Sequence, residues 1–420
     1  MTGSNIPGFY KLNLEERREF LKKFSDLTEE EISLLRNMGG LGENLADHMI
    51  ENVISVMEIP IGIAVNFLIN DKDYLIPMAI EEPSVVAAAS NAAKMARVKG
   101  GFKAVSSEPI MIGQIEVSGM SDPFGAKFRI LEKKKDLIEI ANRQDPVLVK
   151  LGGGAKDIEV RVLDEKEPMI VVHLLVDVRD AMGANAVNTM AETLAPYISQ
   201  ISKGKVRLRI LSNLATYRIA RAYAIFDKET IGGEDAVNGI IEAYKFAILD
   251  PYRATTHNKG IMNGIDAVLV ATANDWRAIE AGAHAYAALN GYTSITKWEK
   301  NEDGDLVGSI EIPMAVGIVG GATASHPKAK IMRKILRVDS AKEFSNVLAS
   351  VGLAQNFAAI RALAMEGIQK GHMELHARNV AISAGATGSE IDKVAEEMIK
   401  RKAIRADVAL EILNGIRNKN

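Results

Sequence analysis

The sequence predicts an α+β fold: a large, mainly helical domain with an inserted ferredoxin-like (βαββαβ) small domain and a helical C-terminus. Three observations predict it. Residues 108–213 read in the order β-α-β-β-α-β, the split βαβ arrangement. The stretches on either side, 13–56 and 214–366, show mostly helical apolar spacing with a few buried strands between. Beyond the glycine-rich break SAGATGS at 383–389, the chain reads as short amphipathic helices. The corresponding boundaries are 1–108, 109–213, 214–366 and 367–420.

Taken in order, LNLEERREFLKKF has helical spacing. LTEEEISLLRNMGG opens on a capping-box pair, Thr28 and Glu31, and ends on glycine. GENLADHMIENVISVM is read as a third helix. Residues 60–80, rich in Ile, Val and Phe and broken by NDKD, predict a β-hairpin. EEPSVVAAASNAAKMARVKGG predicts a deeply buried helix, with Pro83 at its first position and Gly100–Gly101 at its end. Glu82 then stands at the N-terminus of that helix.

In the insertion, EPIMIGQIEVSG is a strand and 124–143 a helix. DIEVRVLD and PMIVVHLLVDV are strands joined by a polar turn, ANAVNTMAETLAPYISQIS is a helix and KVRLRILSN the last strand. Further on, GSIEIPMAVGIVGGA at 308–322 carries buried-strand character, and SEIDKVAEEMIKRK and RADVALEILNGIRNK are the terminal amphipathic helices. No fixed-period repeat is present.

Composition narrows the function classes. The chain has 420 residues, 47% hydrophobic and 25% charged, as in globular proteins. The net charge of -3 shows no basic excess for nucleic acid. Zero cysteines exclude disulfides, thiolate metal ligands and a cysteine nucleophile. The polar N-terminus does not read as a signal peptide, and no apolar run approaches the roughly 20 residues of a membrane helix. A cytoplasmic protein without membrane or nucleic-acid partners is expected.

The chemistry is expected in RATTHNKGIMNGIDAVLVATANDWR, 253–277, which gathers Arg253, His257, Lys259, Asn263 and Asp275. Ala267 to Ala273 has the length and β-branched content of a strand, with Gly260 and Gly264 as turn residues before it. Lys259 and Asp275 are thus placed at opposite ends of a βα-type unit, folded towards each other. Such a pair stabilises a developing oxyanion and moves protons. Read alone, a surface ion pair is the commoner meaning.

DVRDAMGANAVNTMAE, 177–192, sets Asp180, Gly183 and Asn185 between a strand and a helix start, where backbone N–H groups meet phosphate. An ordinary strand-to-helix turn is the alternative. LGGGAKDIEV, 151–160, is a weaker cluster that fits a flexible connection. No G-x-G-x-x-G occurs, so a dinucleotide would not bind in the Rossmann manner. Asp145 is either a ribose acceptor or a solvated helix end. His372 and His376 share a helical face, but Glu374 is misplaced for H-E-x-x-H, so no metal is expected. A histidine beside a glycine-rich hinge also suits a mobile general acid.

EEPSVVAAAS, DAMGANAVNTMAE, RATTHNKGIMNGIDAVLVATANDWRA, VGGAT and GHMELHARN together resemble the hydroxymethylglutaryl-coenzyme A reductases over essentially the whole chain. ENVI at 51–54 resembles the soluble class II form. The resemblance implies a two-hydride reduction of a thioester to an alcohol, interconverting hydroxymethylglutaryl-coenzyme A with mevalonate and free coenzyme A. It implies catalytic roles for Glu82, Lys259, Asp275 and His372. Ser84, Asn213, Arg253 and Asn263 match positions that hold the hydroxymethylglutaryl part. Asp145 and the run Asp180, Met182, Gly183, Ala184 and Asn185 match the nicotinamide-cofactor site. It further implies a central helix in the large domain, a C-terminal three-helix flap, and a homodimer or higher homo-oligomer with the site between subunits. Two departures stand out: Ala273 where the motif before NDW often has glycine, and Tyr10 where related enzymes can carry a basic residue, with Lys11 adjacent.

The chemistry assigns work to these residues. Lys259 steadies the alkoxide formed by hydride addition. His372 protonates the departing thiolate, whose free thiol has a pKa of about 8.5. Glu82 supplies the proton to the aldehyde oxygen. Asp145 favours NAD(H) over NADP(H), because a 2′-phosphate would bring roughly two charges against a carboxylate. Two other classes compete: an acyl-coenzyme A transferase or condensing enzyme, disfavoured by the missing cysteine, and a non-catalytic acyl-coenzyme A-binding protein, which has no need of the four residues as a set.

Overall fold

The computed structural model describes residues 3–37, 39, 41–365 and 368–418, and for 368–375 the backbone alone. Helices α1 (Leu14–Ser25) and α2 (Glu29–Arg36) each open on a capping box, from Asn13 with Glu16 and from Thr28 with Glu31. α3 (Glu43–Met49) is shorter than expected. Residues 53–60 have no regular structure, and Ile54 and Met57 stand 98% and 92% exposed. The hairpin follows as β1 (Ile61–Ile69) and β2 (Lys72–Ala79).

α4 (Val85–Arg97) begins two residues later than a Pro83 start would give. Ser84 takes its N-cap place in a left-handed conformation, φ 76°. One stripe only, through Val85, Ala89, Ala92, Ala93 and Ala96, is buried. β3 (Phe102–Ser106) returns the chain to the large sheet.

The insertion runs β4 (Ile110–Ser118), α5 (Pro123–Glu132), α6 (Lys134–Asn142), α7 (Pro146–Lys150), β5 (Gly154–Asp164), β6 (Met169–Asp177), α8 (Ala184–Ser202) and β7 (Lys205–Ser212). Its sheet has the order β5-β6-β4-β7 with every neighbour antiparallel, which is the split βαβ topology. The expected helix 124–143 is two helices that break at Lys133. Gly153 and Gly154 are closely packed and not part of a loose connection: a Cβ on Gly153 would lie 2.7 Å from the Asp177 carbonyl oxygen.

β8 (Ile219–Phe226), α9 (Lys228–Ile231), α10 (Gly233–Leu249), α11 (Pro251–Ala271), α12 (Trp276–Ala287), β9 (Thr296–Lys300) and β10 (Leu306–Pro313) rebuild the main body. The six strands order as β2-β1-β3-β8-β10-β9. α13 (Gly321–Ser325), α14 (Pro327–Leu336) and α15 (Ala341–Met365) follow, then α16 (Ile368–Ser383), α17 (Glu390–Lys400) and α18 (Ala406–Arg417).

Two expectations are corrected here. The run Ala267 to Ala273 is not a strand; through Ala271 it is the last part of the 21-residue helix α11, and Gly260 and Gly264 lie inside that helix. Gly264 is a packing residue: a Cβ there would sit 3.0 Å from Gln355 and 3.1 Å from Val351 of α15. Second, α15 is by length and composition long and apolar enough to cross a membrane. It is instead the central helix: 67% of its apolar window is buried, against α4, α10, α11 and the large sheet. Residues of α16 to α18, among them Ala377, Val394, Met398 and Leu413, close around a separate small core.

Candidate active site

α11 carries the first group of candidates. Its buried stripe includes Ala254, His257, Ile261 and Val268, which turns Lys259 and Asn263, one turn apart, to the open side. Lys259 Nζ donates to Glu82 Oε2 at 3.2 Å. Their side chains remain 59% and 41% exposed, so the pair faces a space that a substrate could fill. Glu82 arrives from β2 through a turn whose Ser84 holds positive φ, a strained geometry for a residue with a Cβ. Arg253, half-buried in the first turn of α11, has its pKa lowered by burial.

His257 does not belong to the open site. It is 2% exposed, and its Nε2 lies 2.9 Å from Thr296 Oγ1 and 3.1 Å from Asn356 Nδ2. Burial, with Arg253 nearby, holds its pKa down at about 3. It is a neutral core histidine.

Asp275 forms the start of a second group, and the expected Lys259–Asp275 pairing is not what the chain makes. Asp275 caps α12, accepting from Ala278 N at 3.1 Å, with Arg277 at 3.6 Å. Ala271, the last residue of α11, is twelve residues on from Lys259, roughly 18 Å of helical rise. Asp275 instead neighbours the glycine loop. Asn274 Oδ1 accepts from Gly317 N at 3.0 Å, and a Cβ on Gly317 would be 2.5 Å from Met182 N.

That loop is built for a close approach. Gly183, the N-cap of the 19-residue α8, has φ 99°, and a Cβ there would be 2.4 Å from Val178. No side chain caps α8 and no acidic residue occupies its first turn, so its N–H groups present their positive end outward. Asn185 is exposed there, with Met182 and Ala184 half-buried. Asp180 does a structural job: its Oδ1 accepts from Ala341 N at 2.8 Å.

Sequence reasoning missed Arg218. It is 4% exposed and donates to the carbonyls of Ala181 and Met182, both at 3.2 Å, and to that of Val316. Burial lowers its pKa to about 10, which leaves it charged at neutral pH. It fixes the loop by its carbonyls. A lone arginine before a strand has no local signature, so only the fold reveals it.

Asp145 caps α7, accepting from Leu148 N at 2.9 Å. Leu148 packs on Gly153 beside the Asp177 carbonyl, so Asp145 lies at the same end of the small sheet as the glycine loop. Arg143 is exposed and nearest to Glu139, at 3.9 Å. Asn213 is exposed, with its backbone oxygen against Gly282 of α12. His372 falls in α16, and its side chain lies outside the described residues. His376 is exposed. Among the described residues no three His, Asp or Glu side chains gather as metal ligands.

The family model for hydroxymethylglutaryl-coenzyme A reductase matches residues 13–377. The chain belongs to this family. It is 60% identical to 3-hydroxy-3-methylglutaryl-coenzyme A reductase of Archaeoglobus fulgidus over 99% of this chain and 95% of that one. A probable reductase of Borreliella burgdorferi is 36% identical over 98% and 95%. Among solved structures, the class II reductase of Streptococcus pneumoniae bound to NADPH matches with a TM-score of 0.82 at 40% identity, covering 97% of this chain and 100% of that one. The likeness extends to both sheets, so the expected α+β architecture is that of this family. The acyl-transferase and binding-protein readings receive no support from these relatives.

Proposed function

We propose that this reductase interconverts 3-hydroxy-3-methylglutaryl-coenzyme A with mevalonate and coenzyme A at a site shared by two subunits. The observation that carries the shared site is the separation of its halves. Lys259 and Asn263, with Glu82 hydrogen-bonded to the lysine, lie around the middle of α11, and Asp275 with the 180–185 loop lies beyond its C-terminal end. A second copy that sets its Asp275 half against the Lys259 half completes the set. The exposed Ile54 and Met57 support such an interface, since large apolar side chains in open water favour being covered.

The roles follow from the chemistry. Arg253, with Ser84, Asn213 and Asn263, holds the substrate's free carboxylate and hydroxyl. Lys259 stands where the carbonyl oxygen becomes an alkoxide, and its fixed positive charge lowers that barrier. When bound, the nicotinamide supplies a hydride to the thioester and, after exchange, a second to the aldehyde. His372, on a helix joined to the small C-terminal core rather than to the main one, delivers a proton to the departing sulfur and moves away to permit exchange. Glu82, hydrogen-bonded to Lys259, passes a proton to the aldehyde oxygen. Asp275 balances the charge of the lysine from the facing subunit. Gly183 and the open N-terminus of α8 receive the cofactor's phosphates, and Asp145 accepts from its ribose, which favours NADH. In this reading 109–213 is the cofactor domain, 1–108 with 214–366 the substrate domain, and 367–420 the flap.

A mixed-dimer experiment tests the shared site. Lys259→Ala and Asp275→Ala subunits, each inactive alone, are co-expressed with different tags and the hybrid is purified. In the shared arrangement one of its two sites is intact, so about half the wild-type activity returns. A hybrid as inactive as its parents would place both residues in the same subunit's site.

A further inference from the structure

A row of polar side chains runs along the groove between α11 and α12. Asp266 lies two turns beyond Lys259 and one beyond Asn263, at i+7 and i+4, so it shares their open stripe of α11. Its carboxyl faces that of Glu280 of α12, and each acts on the other's protonation. Glu280 Oε2 is 2.9 Å from His284 Nε2, one turn on. His284 Nδ1 is 2.7 Å from the Tyr292 hydroxyl, and the two rings stack at 6.0 Å and 19°. None of these four residues is among the expected catalytic or binding positions.

Two carboxyls in contact share a hydrogen bond only if one keeps its proton. The proton belongs on Asp266. Its Oδ1 is buried with no hydrogen-bond partner, so a full charge there would be unsolvated. Burial first, then the neighbouring Glu280, raise its pKa to about 9. Glu280 is lowered, chiefly by the hydrogen bond from His284. The ionisable groups that act on Asp266 and Glu280 are each other and His284. None among the described residues of α4, α10, α14, α15 or β2, which also pack on α11, acts on them.

This tie joins the two helices that carry the candidate site. α11 bears Lys259 and Asn263; α12 begins at Asp275. We propose that Asp266 is a positioning residue for the reduction: as the neutral acid it clasps Glu280, and this clasp sets α12, and so Asp275 at its start, against α11. When Asp266 ionises, two anions face each other in the groove and the helices part. The inference rests on the roles proposed above for Lys259 and Asp275, and it adds an alkaline limit to activity.

The test is a pH profile of kcat/KM on the purified oligomer for wild type, Asp266→Asn and Asp266→Ala. Asparagine still donates to Glu280 and cannot ionise. Asp266→Asn is expected to keep kcat within about threefold at neutral pH and to lose a descending limb that wild type shows near pH 9. Asp266→Ala is expected to lower kcat tenfold or more with little change in KM. Near-ultraviolet circular dichroism confirms that each variant is folded; if the alanine variant is not, the asparagine profile alone decides. A limb that survives unchanged in Asp266→Asn overturns the proposal, as does a folded alanine variant with wild-type kcat. Lys259→Ala and Asp275→Ala are measured beside them. If those retain activity the proposed roles themselves fail, whatever Asp266 does.

Discussion

Arg218 donates a 3.2 Å hydrogen bond to the Met182 carbonyl from a position almost wholly buried beneath the glycine loop. With its bonds to Ala181 and Val316 it holds three carbonyls from two chain segments. Arg218→Lys replaces the planar fork with a shorter point donor and leaves carbonyls unpaired, at about 1–3 kcal/mol for each buried group. The expected outcome is a KM for the nicotinamide cofactor raised tenfold or more, with a smaller change for the coenzyme A thioester. Equal rises in both would show that Arg218 supports the whole fold and not this loop.

In the proposed mechanism, Lys259→Ala removes the charge placed for the alkoxide. Turnover should fall 100-fold or more, the usual loss for one oxyanion donor. The exposed side chain makes the change tolerable to the fold, so the melting temperature should stay within a few degrees. A variant with more than about a tenth of wild-type kcat takes the lysine out of the mechanism.

His372→Gln separates the two reduction steps. Only the thioester route expels a thiolate, so reduction of hydroxymethylglutaryl-coenzyme A should suffer at least tenfold more than reduction of free mevaldehyde. His376→Gln should be close to wild type on both. Matching losses on the two substrates in the His372 variant would assign that residue another task.

The proposed preference for NADH rests on Asp145. Its half-buried carboxylate caps α7 at the loop's end of the small sheet, and Arg143 is turned towards Glu139. NADH should therefore give the higher kcat/KM, and Asp145→Ala should narrow the gap mainly by improving NADPH. The cap it provides to α7 would be lost as well, at about 1 kcal/mol. Wild-type enzyme that favours NADPH would contradict this reading.

His257 makes stability depend on acid. Its pKa is about 3 in the folded protein and about 6.5 when unfolded. Between those values the unfolded chain binds a proton that the folded one refuses, so stability is fully present above about pH 6.5 and falls as pH drops towards 3. The slope from this one group is at most about 1.4 kcal/mol per pH unit. Thermal melts from pH 7 to pH 4 should show the decline, and His257→Gln should flatten it. An unchanged slope in the variant would mean other groups dominate.

Some of this was legible from local pattern. The capping box at Thr28 marks a helix start because its hydrogen bonds close within four residues. The insertion was readable because its strands and helices alternate with clear periods and because Gly183 is required by a backbone angle. α11 was misread for a physical reason. Val268, Leu269 and Val270 resemble a buried strand, and Gly260 and Gly264 resemble turns, when Gly264 in fact lets α15 approach. A glycine chosen for packing and one chosen for a turn look alike until the neighbouring helix is known. Ala273 does adopt the left-handed angle, φ 53°, a conformation that glycine enters without the cost of a Cβ.

By itself, the sequence determined the fold class, the split βαβ insertion and the family, because these rest on order, period and motif along the chain. Only the tertiary structure decided which charges meet. It placed Lys259 on Glu82, 177 residues away in the chain, and not on Asp275, only 16 residues on, because the straight helix carries the chain roughly 18 Å from Lys259 to Ala271 before Asp275 is reached. It also put Arg218 under Met182 and Asp266 against Glu280. Hydrogen bonds between distant segments depend on how helices and sheets pack, and spacing along one chain does not record that.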